Sequence, residues 1–348
     1  MPAAPEWPEQ IGSEDELDDL LTRPSPPLVE MMKRLPGDII ILGIGGKMGV
    51  TLGALAARAI REAGAAKRVV GVSRFSDPLA EEKLNAAGIE TIACDLLDRA
   101  AVNALPRLEN VVFMAGRKFG TGGKEPLTWA MNTAVPANAA DHFRDSRIVA
   151  FSTGCVYPLM PPVGGGCTEE TPTAPVGEYA QSCLGRERIF QYHSIANGTP
   201  VCLFRLNYAI DLRYGVLHDI GSSVWGGEPI DVTIGRFNII WQGDANRMAL
   251  QCLEHCTSPA TPLNVTGPDA LSTRDIATAF GKIMDRPVRF AGEESQAVFL
   301  SNASRALGLF GGTTVSVDQM IAWNAHWIMA GGRSLGKPTH FEVKDGKF

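Results

Sequence analysis

The segment EYAQSCLGRERIF, residues 178–190, places a phenol, a thiol and a guanidinium at a spacing that suits proton transfer. In a helix, Tyr179, Cys183 and Arg186 occupy positions i, i+4 and i+7 and share one face. Tyrosine has an ordinary pKa of about 10, so it is a poor base near neutrality unless a nearby cation stabilises the phenolate. A cation about 4 Å away, at an effective dielectric constant of about 20, contributes about 4 kcal/mol, or roughly three pKa units. Tyr179 is therefore a candidate acid or base whose supporting cation has to be identified.

A second candidate site is the glycine-rich segment GIGGKMG, which follows the apolar run DIIIL and precedes an alanine-rich segment of helical period. Strand, tight turn and helix in this order are the context of a dinucleotide-binding turn, in which glycine lets the backbone approach a pyrophosphate. The N–H groups of the following helix can then bind the pyrophosphate. The turn residues predicted to contact a dinucleotide are Gly43, Gly46, Lys47, Met48 and Gly49.

The end of the next predicted strand, GVSRFSD, bears on which dinucleotide is bound. An acidic residue there would bind the ribose 2′-hydroxyl of NAD, but the sequence has Ser73 and Arg74. A guanidinium suits a 2′-phosphate, so NADP is favoured slightly over NAD. The alternative is that Arg74 stacks on adenine or points to solvent.

Positioning these residues requires an α/β fold. Short β-rich runs (RVVGVSR, TIACDLLD, NVVFMAG and SRIVAFST) alternate with segments of helical pattern, which predicts a parallel, doubly wound sheet. We expect residues 1–37 to form a helical extension on the outside of the main domain. We expect residues 38–205 to form the dinucleotide-binding domain, with 233–258 returning to it. Residues 206–232 and 259–348 are then expected to form a smaller α/β substrate lobe and tail. The polar tail GKPTHFEVKDGKF is a candidate cover for the substrate cleft.

Composition narrows the possible partners. The chain has 348 residues, 45% of them hydrophobic and 20% charged, with a formal charge of −6, and no basic run suggests nucleic acid binding. No apolar stretch approaches the roughly 20 residues of a membrane span. Seven scattered cysteines and the start MPAAPEWPEQ predict a cytoplasmic protein with reduced thiols. The cluster CLEHC (residues 252–256) lacks a fourth ligand, so no metal is predicted.

From about residue 38 to 325 the chain resembles the extended short-chain dehydrogenase/reductase superfamily of NAD(P)-dependent sugar epimerases, dehydratases and reductases. GIGGKMG is similar to its GxxGxxG turn, CDLLD to its Asp-Leu pair near the adenine, NVVFMAG to the strand under the cofactor and FSTGCVYP to its Ser/Thr-rich strand end. The resemblance implies a Rossmann-like fold and a homodimer. It also implies further cofactor contacts from Asp95, Leu96, Ala115, Gly116, Asn132 and Tyr179.

In that superfamily the active site is a Ser/Thr and a YxxxK pair. The resemblance assigns Thr153 to the hydroxyl and Tyr179 to the tyrosine, but Cys183 stands where the lysine should be. We expect Lys118, in MAGRKFG, to replace the lysine, with Arg186 as second choice. The alternatives are that Lys118 is a solvated loop residue and that Arg186 pairs with Glu187 or Glu169. Predicted substrate contacts are Cys155, Arg205, Asn207 and Arg213.

Two functions follow from this sequence. The first is an enzyme that transfers hydride to or from a carbohydrate or sugar derivative, with Thr153 holding the reacting oxygen and Tyr179 exchanging a proton. The second is a non-catalytic NAD(P)-binding protein with a regulatory or redox-sensing role, since a fold alone does not prove turnover. Retention of both Thr153 and Tyr179 favours the enzyme. The sequence identifies neither the sugar nor the choice among epimerisation, dehydration and net oxidation.

Overall fold

The computed structural model describes residues 7–118, 123–337 and 339–341. In these residues the strands are β1 Ile39–Leu42, β2 Val69–Ser73, β3 Glu90–Ala93, β4 Asn110–Phe113, β5 Arg147–Thr153, β6 Val201–Leu206, β7 Ala209–Ile210, β8 Ile230–Asp231, β9 Arg236–Phe237, β10 Ile240–Trp241, β11 Thr261–Val265, β12 Leu271–Ser272 and β13 Phe290–Ala291. The α-helices are α1 Glu14–Leu21, α2 Pro26–Arg34, α3 Gly49–Glu62, α4 Pro78–Ala86, α5 Arg99–Asn103, α6 Glu125–Trp129, α7 Val135–His142, α8 Gly177–Asn197, α9 Val216–Gly226, α10 Gln242–Gln251, α11 Thr273–Met284, α12 Ser304–Phe310 and α13 Val317–Met329. A π-helical turn, Ala130–Ala134, joins α6 to α7.

Seven strands form one parallel sheet in the order β11-β6-β5-β4-β1-β2-β3. Every residue of β1 and β4 is buried, because helices cover both faces of the sheet. The α2, α3 and α10 helices contribute to the core on one face, and α7 and α8 to the core on the other. The predicted doubly wound, Rossmann-like α/β fold is confirmed.

The strand order reverses at β1, which lies between β2 and β4. In an open parallel sheet, ligands bind outside the carboxyl ends of the strands at such a switch point. The glycine turn follows β1, the segment with Lys118 follows β4, and Thr153 ends β5. These segments therefore lie along one edge of the sheet.

A second hydrophobic core lies beside the sheet domain. It contains α9, α11 and α13, which pack against one another around buried aromatic residues that include Phe280 and Trp323. The N-terminal α1 also packs here, through Leu17, Leu20 and Leu21, whereas α2 packs on the sheet. The extension thus contributes to both cores.

One boundary differs from the expectation. Residues 259 onward were expected in the smaller lobe, but Thr261–Val265 is the edge strand β11, paired in parallel with β6. The strand is short and follows a loop, so its partner could not be read from local pattern. Phe341, in the tail, packs in the second core, while residues 338 and 342–348 lie outside the described residues.

Candidate active site

The glycine turn has the backbone that a phosphate-binding turn requires. Gly43 has φ +90°, and a Cβ there would lie 2.7 Å from the backbone nitrogen of Ala115. A Cβ on Gly49 would lie 2.2 Å from the carbonyl oxygen of Ile44, so a side chain at this position would force the turn open. The α3 helix begins at Gly49 without a side-chain cap, although the Gly49 N–H donates to the carbonyl oxygen of Gly46. The N-terminus of a helix is suited to bind a phosphate group.

A cavity of about 230 Å³ surrounds this turn, and we call it the glycine-turn cavity. Its lining residues come from the ends of β1, β2, β3 and β4 and from the π-helical turn: Gly43, Gly45, Gly46, Ser73, Arg74, Ser76, Cys94, Asp95, Leu96, Met114, Ala115, Gly116 and Met131. Most of the predicted cofactor residues are among them, whereas Lys47 and Met48 line a neighbouring cavity instead. The close approach of the turn to Ala115 and the uncapped helix fit a dinucleotide.

The second cavity, also of about 230 Å³, is the Thr153–Tyr179 cavity. The end of β5, the first turn of α8 and the segment from β6 to α9 bring its residues together. They are Lys47, Met48, Lys118, Ser152, Thr153, Cys155, Tyr179, Leu206, Asn207, Tyr208, Ala209, Tyr214, Gly215, Val216 and Thr339. Thr153, Tyr179, Lys118, Cys155 and Asn207 thus meet in one cavity, as a shared site requires.

Tyr179 holds its proton tightly. Burial raises the pKa of Tyr179 well above its usual value; Cys183 and Cys155 raise it further, and Arg186 lowers it. The Tyr179 and Cys183 side chains hydrogen-bond to each other, and Cys183 is fully buried. Near neutrality the Tyr179 hydroxyl is therefore a proton donor, and its use as a base needs added positive charge.

Arg186 does not line the Thr153–Tyr179 cavity. Its guanidinium donates to the carbonyl oxygen of Phe151 at 2.8 Å and to Oδ1 of Asn132 at 2.6 Å. These contacts replace the expected alternative, an ion pair with Glu187 or Glu169.

Asn132 also lines neither cavity. Its side chain bonds the hydroxyl of Ser182 on α8 and both backbone groups of Arg117. Asn132 therefore joins α8 to the segment after β4, which is a structural task.

Lys118 lies in the Thr153–Tyr179 cavity with Cys155. Burial lowers the pKa of Lys118, while Cys155 and Cys183 raise it. Thr153 accepts a hydrogen bond from the Cys155 backbone at 3.1 Å, which leaves the Thr153 hydroxyl hydrogen for a ligand.

Two predicted substrate contacts lie outside the cavity. Arg205, 3% exposed, forms a double hydrogen bond with Glu187, at 2.9 and 2.7 Å, and bonds the Tyr157 hydroxyl. Arg213 forms ion pairs with Asp211 at 3.1 Å and with Asp18 of α1 at 2.9 Å. Both arginines are bound to carboxylates, so their side chains hold the walls of the site together.

The side chain of Lys47 lies where its backbone position in the glycine turn did not predict. Its ammonium lies 3.5 Å from the ring centroid of Tyr214 and 3.4 Å from the carbonyl oxygen of Ala209. Burial lowers the pKa of Lys47 to about 7, helped by Lys118 and Arg213, whereas Asp211 raises it. The sequence predicted a cofactor contact here but gave no signal for the side chain's direction.

Residues 39–209 match the model of the NAD dependent epimerase/dehydratase family. Over these residues, which make up just under half of the chain, the protein is similar to that family. The predicted resemblance to NAD(P)-dependent epimerases and dehydratases is confirmed. No curated protein matches the sequence. In the described part of the chain, no helix is long and apolar enough to cross a bilayer, and no cluster of His, Cys, Asp and Glu could hold a metal.

Solved structures with this fold include the UDP-glucuronic acid 4-epimerase of Bacillus cereus in complex with NAD, with a TM-score of 0.69 and 17% identity over 84% of this chain and 98% of that chain. The dTDP-glucose 4,6-dehydratase of Bacillus anthracis str. Ames, in complex with NAD, has a TM-score of 0.69 and 12% identity over 84% and 96%. The UDP-glucose 4-epimerase of Thermus thermophilus, in complex with NAD, has a TM-score of 0.66 and 15% identity over 83% and 98%. At such identities the likeness establishes the fold.

Proposed function

We propose that this protein is an NAD(P)-dependent epimerase, dehydratase or dehydrogenase that acts on a carbohydrate or sugar derivative. The observation that carries the proposal is that Thr153 and Tyr179 line one cavity that adjoins the glycine-turn cavity at the switch point of the sheet. A bound nicotinamide dinucleotide would supply hydride transfer. The residues that would hold it are those of the glycine turn, Asp95, Leu96, Ala115 and Gly116.

The protein's own residues position and protonate the substrate. Thr153 donates a hydrogen bond to the reacting oxygen, and the Tyr179 hydroxyl gives that oxygen a proton. Lys118 takes over the role of the lysine that Cys183 replaces, because it lines the same cavity and carries the positive charge that stabilises a phenolate. Arg186 lowers the pKa of Tyr179 but lines neither cavity, so it is the second candidate.

Arg74 sets the cofactor preference in this proposal. It lines the glycine-turn cavity, is exposed, and makes no hydrogen bond or ion pair among residues 7–118, 123–337 and 339–341. A guanidinium held in this way can bind a 2′-phosphate, so NADP is favoured. A homodimer and a cytoplasmic location remain predictions.

Calorimetric titration with NAD and NADP, followed by a turnover screen on sugar acids and nucleotide sugars, tests the proposal. We expect tighter binding of NADP and loss of that preference in Arg74→Ala. Equal or tighter binding of NAD would remove Arg74 from this role. Binding without turnover of any sugar would favour the non-catalytic alternative, and absence of dinucleotide binding would contradict both.

A further inference from the structure

We propose that the Thr153–Tyr179 cavity takes a sugar derivative that carries an anionic group, a carboxylate or a phosphate, and that Lys47 is the counter-ion of that group. The inference rests on the proposed function, because it names the substrate class of the same cavity. It assigns Lys47 to the substrate, although the residue belongs to the turn that would hold the cofactor.

The position of the side chain carries the inference. Lys47 lines the Thr153–Tyr179 cavity and is absent from the lining of the glycine-turn cavity. Its hydrogen bond to Ala209, at 3.4 Å, is long for an N–H to O bond, and its other close neighbour is the face of the Tyr214 ring. Among the described residues, no carboxylate lies within 4.0 Å of the Lys47 ammonium. An ammonium has three donors, so this cation has room for an anionic ligand.

The nearby charges do not supply that ligand. Asp211 attracts Lys47 but is bonded to the guanidinium of Arg213. Asp219, on α9, also attracts it but accepts hydrogen bonds from the backbone and hydroxyl of Thr339. Lys118 and Arg213 repel it. The other titratable groups that face the cavity are Tyr179, Tyr208, Tyr214 and Cys155.

The size of the cavity limits the ligand. About 230 Å³ is below the roughly 300–1,000 Å³ of pockets for drug-sized ligands. The cavity therefore suits a single sugar ring with its charged substituent.

Binding of an anion to Lys47 must depend on pH. Because the pKa of Lys47 is about 7 and an anion favours the charged form, the pKa rises in the complex and binding takes up a proton above neutrality. Below pH 7 the ammonium is already charged, so affinity is nearly constant. Above pH 7 the affinity falls about tenfold per pH unit until the pKa of the complex is reached.

Isothermal titration of the full-length protein with D-glucuronate, D-glucose 6-phosphate and D-glucose, between about pH 6 and 9, tests this proposal. We expect at least one anion to bind at least tenfold more tightly than D-glucose at pH 6, with a dissociation constant that rises about tenfold from pH 7.5 to 8.5. In Lys47→Met the anion should lose at least tenfold in affinity and its pH dependence. Lys47→Arg, whose charge does not titrate in this range, should bind with a flat pH profile.

The control is Lys282→Met, which removes an exposed lysine of α11 and should change nothing. Thermal unfolding shows whether each variant is folded. If Lys47→Met does not fold, the pH profile of Lys47→Arg still tests the proposal.

Three results would overturn the proposal: wild-type anion affinity in Lys47→Met, equal binding of glucose and both anions, or no anion binding. It is also overturned if Lys47→Met weakens only NADP, because the cofactor's pyrophosphate would then be the partner. Failure of NADP to bind wild-type protein would instead contradict the proposed function.

Discussion

The chemistry proposed for this site depends on a single proton, that of the Tyr179 hydroxyl. Burial and the two neighbouring thiols raise the pKa of this group, so it is protonated across the neutral range. Such a group acts as a proton donor, and a nearby cation is needed to stabilise the phenolate that remains after the transfer. Lys118 and Lys47 are the lysines that line the same cavity among the described residues.

Replacing Tyr179 with phenylalanine should reduce turnover at least 100-fold and leave NADP affinity within a few-fold. The reason is that a proton donor acts mainly in the transition state, so its loss lowers the rate more than binding. Steady-state kinetics on a proven substrate and cofactor titration provide the two measurements. Tyr192→Phe, an exposed tyrosine on the same helix, is the matched control. Retention of most activity in Tyr179→Phe would rule out this proton-transfer role.

Lys118→Met should lower the rate and move the basic limb of the pH–rate profile to higher pH. A cation near Tyr179 lowers its pKa, so removing the cation raises the pKa at which the phenol loses its proton. The pH–rate profiles of wild type and Lys118→Met decide the point. An unchanged profile would mean that another group supports Tyr179.

The candidate residues show which parts of a site can be predicted from sequence. The proximity of Thr153 and Tyr179 could be predicted, because each lies in a motif. One motif places Thr153 at the carboxyl edge of the sheet, and the other places Tyr179 in the adjoining helix. The partners of Arg186 could not, since a long side chain has several carbonyl and carboxylate groups within reach. Lys47 is a similar case: its backbone position followed from the turn, whereas its direction depends on distant residues such as Tyr214.

At the scale of elements, α8 is fixed to the sheet by buried polar contacts beyond the hydrogen bonds of Arg186. Glu187, fully buried, accepts two hydrogen bonds from Arg205 of β6 and one from the hydroxyl of Ser152. These contacts hold the helix that carries Tyr179 against the strand that carries Thr153. The geometry of the site therefore depends on an ion pair outside the cavity.

Glu187→Leu should destabilise the protein by about 3–5 kcal/mol, because it leaves the buried guanidinium of Arg205 without its counter-charge. The double variant Glu187→Leu/Arg205→Met should recover much of that loss, since it removes both buried charges. Urea unfolding of the wild type, both single variants and the double variant measures these effects. Additive losses in the double variant would show that the pair is not energetically coupled.

The central strands could be predicted because they are apolar, β-branched runs between turn signals. The edge strand β11 was assigned to the other lobe, because its local pattern does not specify the β6 neighbour that it meets across the chain. Pairing between distant segments depends on packing that a single sequence does not display. The same holds for the ion pair of Glu187 with Arg205.

At the scale of the whole molecule, α1 connects the two cores. Leu21 is fully buried in the second core, and Asp18 pairs with both Lys83 of α4 and Arg213 beside the active site. The extension was predicted to lie on the outside of the main domain. Helix α2 packs there, on the sheet, whereas the apolar face of α1 completes the core of the smaller lobe.

Leu21→Ala should therefore lower the free energy of unfolding by about 2–5 kcal/mol, the usual cost of a cavity at a buried leucine. Leu79→Ala, at an exposed leucine of α4, should change it by less than about 1 kcal/mol. Chemical denaturation of both variants gives the comparison. Equal effects would show that α1 is not part of the core that determines stability.

A crystal structure of the protein with NADP would show directly where the dinucleotide binds. We expect the pyrophosphate to contact the turn from Gly43 to Gly49 and the nicotinamide ring to reach the Thr153–Tyr179 cavity. A dinucleotide bound away from that turn, or with its nicotinamide outside the cavity, would contradict this expectation.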